Sequence, residues 1–291
     1  EELASDLPST DLPVYLSTGY FRLTDTRYYV PVSLLVPGSE IPFSRNGEQD
    51  KATLDVLGLV TDEKKVPASE IRDTVRLAVN TSSEVQRKNV QYTSGITLPP
   101  GKYHLKVVVR ENQSGRMGSF ETDFVIPDLK STPLKMSSIV MANQVQPAKS
   151  HDSNDPLIRN GAEIVPSVTR VFASGQHLYL YYEVYDPAHN NHNGNNSAAG
   201  KPDKTEKSAK AAGPPVRVLS SVAFFKGDAK AYETSLVEVQ QLSVPNRKAA
   251  VFQLDVPLTE LKPGFYNCQV NVIDDAAGHF AFPRVAMLVR Q

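Results

Sequence analysis

Apolar residues recur at every second position over short stretches of this chain. Lys102 to Arg110 reads Lys-Tyr-His-Leu-Lys-Val-Val-Val-Arg, which puts Tyr103, Leu105, Val107 and Val109 on one face. Phe265 to Ile273 alternates in the same way through Tyr266, Cys268, Val270 and Val272. Leu178 to Tyr185 is aromatic and β-branched, as strands prefer. Ile71, Val75 and Val79 have helical spacing, but Asp73, Val75, Leu77 and Val79 alternate, and the β-branched residues favour strand. Runs of this kind, separated by Pro, Gly, Asn and Asp clusters, predict an all-β sandwich or barrel.

One pattern occurs twice. Leu98-Pro-Pro-Gly101-Lys-Tyr103-His-Leu105 matches Leu261-Lys-Pro-Gly264-Phe-Tyr266-Asn-Cys268, and the match continues without a gap at an offset of 163 to Gly115 and Gly278. Two copies of one supersecondary unit predict two tandem domains of one fold. Pro-Gly-x-Tyr ahead of an alternating strand resembles the tyrosine corner of Greek-key sandwiches, where the Tyr opens strand F and its hydroxyl bonds to backbone upstream. Gly101 and Gly264 are expected to supply a positive φ, and Tyr103 and Tyr266 to be structural. Cys268 follows Tyr266 by two residues, the place of the second disulfide Cys in immunoglobulin domains; Leu105 holds that place in the first copy. The chain has one Cys and no Trp. The expectation is therefore two immunoglobulin-like or fibronectin-type-III-like sandwiches, with Cys268 a buried core thiol.

The organisation expected is a linker over 1–12, a first sandwich over 13–129 and a second over 130–291, with the boundary in the Pro-punctuated stretch between Ile126 and Met136. Residues 187–215 contain no Val, Ile, Leu, Met, Cys or aromatic residue. They cannot bury enough apolar surface to offset their ordering entropy, and read as a loop inserted between two strands.

The chain has 291 residues, 22% of them charged, and a formal net charge of −1. So small a charge gives no electrostatic reason to expect nucleic acid as a partner. No apolar run approaches the roughly 18 residues that suggest a membrane span. The polar, Pro-interrupted opening at Glu1 suggests a piece of a longer protein. No Gly-rich phosphate loop, nucleophile elbow, zincin helix or Cys-x-x-Cys pair appears, so no catalytic residue, metal ligand or cofactor is assigned. His189 and His192 stand three apart in an Asn-rich loop without regular geometry. Glu111-Asn112 and Asp274-Asp275 end corresponding strands before Gly-containing turns, where such side chains bond local backbone. His104 lies opposite Tyr103 on its strand and is expected on a solvated face. Binding residues favour loops held by a rigid scaffold. That makes Asn112 and Arg116 in one turn, Asp275 and His279 in the other, and the 187–215 loop the candidate contact points.

Longer stretches carry a family resemblance. Thr18-Gly-Tyr-Phe-Arg22, Tyr28-Tyr-Val-Pro-Val32, Pro37-Gly-Ser-Glu-Ile-Pro-Phe43 and Arg110-Glu-Asn-Gln-Ser-Gly-Arg-Met-Gly-Ser-Phe120 are four of them. With Gly175-Gln-His-Leu-Tyr179 and Gln269-Val-Asn-Val-Ile-Asp-Asp-Ala-Ala-Gly278, these resemble the C-terminal region of acidobacterial proteins related to von Willebrand factor A domains. The resemblance implies an exported bacterial protein (periplasmic, cell-surface or secreted) whose adhesion-type domain precedes this region. That domain's Asp-x-Ser-x-Ser metal motif is missing here, so no metal residue carries over. The function expected is a non-catalytic structural or protein-interaction module, partnered by another protein or by neighbouring domains of its own chain. The alternative is a carbohydrate-binding sandwich using Tyr179, Tyr181 and Tyr182, although Trp, the strongest aromatic platform, is missing. A cleft bringing His and carboxylates within hydrogen-bond distance would revive an enzymatic reading.

Overall fold

The computed structural model describes residues 7–46, 48–80, 82–148, 154–189 and 215–291; most of the 187–215 insertion, with His192, lies outside them. The fold is all-β, with one short helix, α1 (Ser82–Gln86), among the described residues. The chain forms two compact units. One comprises residues up to Lys130 together with Gln144–Arg170, the other Ser131–Asn143 together with Val171–Gln291.

The first unit contains β1 (Tyr15–Thr18), β2 (Phe21–Thr24), β3 (Arg27–Pro37), β4 (Ser44–Asn46), β5 (Gln49–Asp62), β6 (Pro67–Val79), β7 (Asn89–Leu98), β8 (Gly101–Glu111) and β9 (Met117–Ile126). In one sheet β3 pairs with β7 on one edge and with β1 and β2 on the other. The second sheet runs β6-β5-β8-β9, with β4 against the start of β5. In strand-letter terms this is A-B-E facing C′-C-F-G, the Greek-key arrangement of a fibronectin-type-III-like sandwich. The alternation that predicted it is visible in β5, where Ala52, Leu54, Val56 and Val60 are buried and their neighbours are not. The ambiguous 71–79 stretch is strand β6. Ile71, its buried residue, pairs with Gly58, whose missing side chain leaves room for it.

The chain continues through β10 (Lys135–Met136), β11 (Val140–Pro147), β12 (Ile158–Arg159), β13 (Ala162–Pro166), β14 (Val171–Ala173), β15 (His177–Tyr185), β16 (Val218–Lys226), β17 (Ala229–Glu233), β18 (Val237–Val239), β19 (Ala249–Pro257), β20 (Gly264–Asp274), β21 (His279–Ala281) and β22 (Arg284–Arg290). In the second unit β15 lies between β19 and the pair β10 and β11. The facing sheet runs β17-β16-β20-β22, with β18 on β16, β21 on β20 and β14 parallel to β22. The same A-B-E and C′-C-F-G letters apply. Its core gathers Leu178, Leu180, Tyr182 and Val184 of β15 against Val222 and Phe224 of β16 and Cys268, Val270 and Val272 of β20. Each such side chain contributes roughly 1.5–3 kcal/mol by leaving water. In the absence of Trp, the Tyr182 and Phe252 rings stack at 5.2 Å in this core, and Tyr182 Oη lies 2.6 Å from Ser220 Oγ.

Two segments sit differently from the sequence reading. Ser9 to Leu12, within the expected linker, runs along β9: Leu12 N–H donates to Met117 O, Ser119 N–H donates to Ser9 O, and Leu12 is buried. Gly118 permits this approach, since a Cβ there would stand 1.8 Å from Leu12 O. Residues 144–170, expected in the second sandwich, group with the first unit, where Gln91 Nε2 donates to Pro166 O at 2.8 Å.

Candidate functional site

The repeated motif makes the same bond at the same offset. Tyr103 Oη donates to Pro99 O at 3.0 Å, and Tyr266 Oη donates to Lys262 O at 2.6 Å. Both tyrosines are buried, and each hydroxyl ties the start of strand F to the turn before it. The two glycines differ. Gly264 has a φ of +151°, whereas Gly101 does not adopt a positive φ, which corrects the expectation there. A Cβ at Gly101 would meet Tyr103 Oη at 3.1 Å, a close contact that the ring would have to relieve by a few tenths of an ångström. Cys268 is wholly buried between these sheets, and burial pushes its thiol up to about 12. It cannot act as a thiolate nucleophile near neutral pH.

The β8–β9 turn is held from within. Buried Glu111 accepts from the backbone N–H of Gln113 at 2.6 Å and of Ser114 at 2.7 Å. Asn112 N–H donates to Thr53 O. Arg116 donates to Asp11 O and Glu40 O, and pairs with the Glu40 carboxylate at 3.1 Å. Its guanidinium therefore clamps the N-terminal segment and the turn at Gly38–Glu40. Asp274, at the offset of 163 from Glu111, accepts from Ala277 N–H of its own turn at 3.4 Å and from the distant Ala188 N–H at 2.8 Å. Asp275 pairs with Arg217 at 2.7 Å. His279 is exposed at the start of β21. The ends of the insertion are fastened here too, through a bridge between His189 and Val216.

A concavity of about 700 Å³ opens on the outer face of the first unit's β5-β8-β9 sheet, lined among others by Thr61, His104, Lys106, Glu121 and Asp123. His104 Nδ1 lies 2.8 Å from Asp123 and Nε2 lies 3.3 Å from Glu121. Buried Lys106 reaches Glu121 at 2.8 Å, and that contact, foremost, holds the Glu121 carboxyl below its usual range. This is the His-plus-carboxylate cleft that would revive an enzymatic reading. A general base needs a ring nitrogen free to take substrate's proton, and both nitrogens of His104 are engaged by carboxylates. The same geometry describes a solvated ion-pair network across β8 and β9.

The outer face of the second unit's β16-β20 sheet is built otherwise. Along β20 it presents Phe265, Asn267, Gln269, Asn271 and Ile273, with Phe265 76% exposed. Phe280, paired with Ile273, is 65% exposed and Phe282 49%, their ring centroids 5.5 Å apart. A polar ladder crosses the middle. Arg284 Nε donates to Gln269 Oε1 at 2.8 Å, Gln269 Nε2 to Asn271 Oδ1 at 2.7 Å, Asn271 Nδ2 to Ser221 Oγ at 3.0 Å, and Ser221 Oγ to Glu233 Oε1 at 3.1 Å. Lys230 pairs with Glu233 at 2.6 Å. The Arg284 guanidinium stands 5.6 Å over the Phe225 ring. Sequence reasoning passed over these phenylalanines. Phe265 stands out of phase with the buried Tyr266-Cys268 set, and that phase was the available signal. Of the tyrosines weighed for sugar stacking, Tyr181 and Tyr182 are wholly buried, and Tyr179 is half-buried with its ring 6.3 Å from that of His177.

No protein-family profile matches this chain, and no curated protein is similar to it at a significant level. Among solved structures, a Northeast Structural Genomics Consortium target is 21% identical over 41% of this chain and 88% of its own, with a TM-score of 0.25. A trypsin-activated alpha-2-macroglobulin from Escherichia coli is 10% identical over 98% of this chain and 17% of its own, with a TM-score of 0.27. Likenesses this slight assign no activity. Among the described residues no helix is long and apolar enough to cross a membrane.

Proposed function

We propose that this chain is a non-catalytic interaction module of an exported bacterial protein, two sandwiches that display surfaces rather than transform a substrate. The observation that carries this reading is the second unit's outer sheet face, where Phe280, Phe282 and Phe265 stand exposed around an ordered polar ladder. Adjoining exposed apolar groups mark interaction sites, and the Phe280 and Phe282 rings adjoin at 5.5 Å. The turn residues Asn112, Arg116 and Asp275 bond within their own unit, which makes the turns supports and the sheet face the contact surface. Export and a preceding adhesion-type domain follow from the family resemblance and belong to the same proposal.

The competing enzymatic reading rests on His104 and its carboxylates. Purified chain is assayed on peptide, ester and glycoside substrates beside His104→Ala and Asp123→Ala. The interaction reading expects no turnover above buffer in any of the three. Turnover by the native chain that either substitution abolishes overturns it.

A further inference from the structure

The second unit's outer sheet face has the chemistry of a site for a neutral oligosaccharide, and we propose that it binds one; this names the ligand class of the surface in the interaction reading above and rests on that reading.

Three features point there. The first is the order of polarity. Protein interfaces place apolar residues at the centre and polar ones at the rim. Here the centre is the ladder Gln269, Asn271, Ser221 and Glu233, and the rings of Phe280, Phe282 and Phe265 lie around it. A polyhydroxylated ligand needs directional donors and acceptors in the middle of its footprint and apolar faces against its ring carbons.

The second feature is preorganisation. Each member of the ladder is oriented by its neighbour, from Arg284 through Gln269 and Asn271 to Ser221 and Glu233. A ligand then spends little free energy ordering side chains on binding. Amide and carboxylate oxygens retain acceptor capacity beyond one bond each, so the ladder can bond ligand hydroxyls without being dismantled. The third is charge. Glu233 is matched by Lys230, and Arg284 is turned over Phe225 and onto Gln269. The ladder thus offers hydrogen bonds with its one carboxylate paired to Lys230 and with Arg284 as a further donor, so it carries no unpaired negative charge to repel the oxygens of a hydroxyl-rich ligand. The row from Phe265 to Ile273 is roughly 26 Å long at about 3.3 Å per residue, so the ligand is a chain of sugars rather than one.

Affinity electrophoresis in native gels cast with soluble β-glucan, xylan, mannan or starch tests this. The native chain is run beside Phe280→Ala/Phe282→Ala and Asn271→Ala. The phenylalanines are exposed, so their removal leaves the core intact. At least one polysaccharide is expected to retard the native chain, with retardation weakened about tenfold or more in both variants. No retardation by any polysaccharide, or equal retardation of all three chains, overturns the proposal. Self-association seen by sedimentation and lost in the phenylalanine variant, with no retardation, overturns the oligosaccharide while leaving an interaction module standing. His104-dependent turnover overturns the interaction reading itself.

Discussion

Removing the Arg247 guanidinium strands a carboxylate. Glu183 on β15 is wholly buried, and its Oε1 accepts from Arg247 Nη2 at 2.6 Å and Tyr181 Oη at 2.8 Å. The Glu183 backbone N–H donates to Ser137 Oγ at 2.9 Å, which fixes its backbone beside the β10–β15 edge. Arg247→Met keeps most of the side-chain stem and removes the charge. Breaking a buried ion pair from one side costs about 3–5 kcal/mol. The exposed pair Lys230–Glu233 at 2.6 Å, in the same unit as Glu183, is the control, worth about 0–1 kcal/mol. The two values differ enough to decide which description of Glu183 holds. The assay is urea unfolding followed by labelling of Cys268, which is buried in the same unit. With urea slopes of about 1–3 kcal/mol/M, the midpoint is expected to fall by about 1 M or more in Arg247→Met and by far less in Lys230→Met. Glu183→Leu added to Arg247→Met is expected to recover most of the loss, since an apolar pair removes the stranded charge. Equal midpoints for the two single variants would refute the reasoning, because they would mean that Glu183 is reached by water.

Other consequences follow from single contacts. Tyr103→Phe and Tyr266→Phe each remove one corner hydrogen bond and are expected to cost about 0.5–1.5 kcal/mol in urea unfolding, the second in the unit reported by Cys268. In the native state Cys268 is expected to resist Ellman's reagent at pH 8 and to react only on unfolding. Because burial raises its folded value from 9.0 to about 12, the unfolded thiol ionises first as pH rises. Stability of the second unit is therefore unaffected by this group below pH 9 and falls between about 9 and 12, and Cys268→Ala is expected to lack that component in unfolding curves at alkaline pH. Gly118→Ala places a Cβ against Leu12 O and is expected to detach residues 9–12 from β9, seen as early proteolytic cleavage there and a loss of about 1–3 kcal/mol.

The strand pattern was legible because one-sided burial imposes a period of two. Val107 and Val270 announce their strands by that alternation, and the corner motif marks which strand of each sandwich they occupy. Gly101 was misread: Pro-Gly suggests a positive φ, but its φ is not positive, and what marks the position is a close approach of the Tyr103 side chain, 3.1 Å from where a Cβ would stand. The placement of 144–170 was hidden because contacts such as Gln91 to Pro166 join residues 75 apart, and no local pattern encodes them. The bonds that hold the turns were hidden for a similar reason. Arg116 looks free in sequence, yet its partners Asp11 and Glu40 lie far along the chain. The second unit's outer face is written in residues that alternate against the core set, Phe265, Gln269, Asn271 and Ile273. Exposure of a phenylalanine cannot be inferred from its own type, which normally signals burial.

The most direct test of the account is side-chain footprinting by hydroxyl radicals, with and without the polysaccharide that most retards the chain. Protection of Phe280 and Phe282, with unchanged oxidation of His104 and Met117, is the predicted result. Protection centred on His104, or on the turns at Asn112–Arg116 and Asp275–His279, with Phe280 and Phe282 oxidised as before, would contradict it.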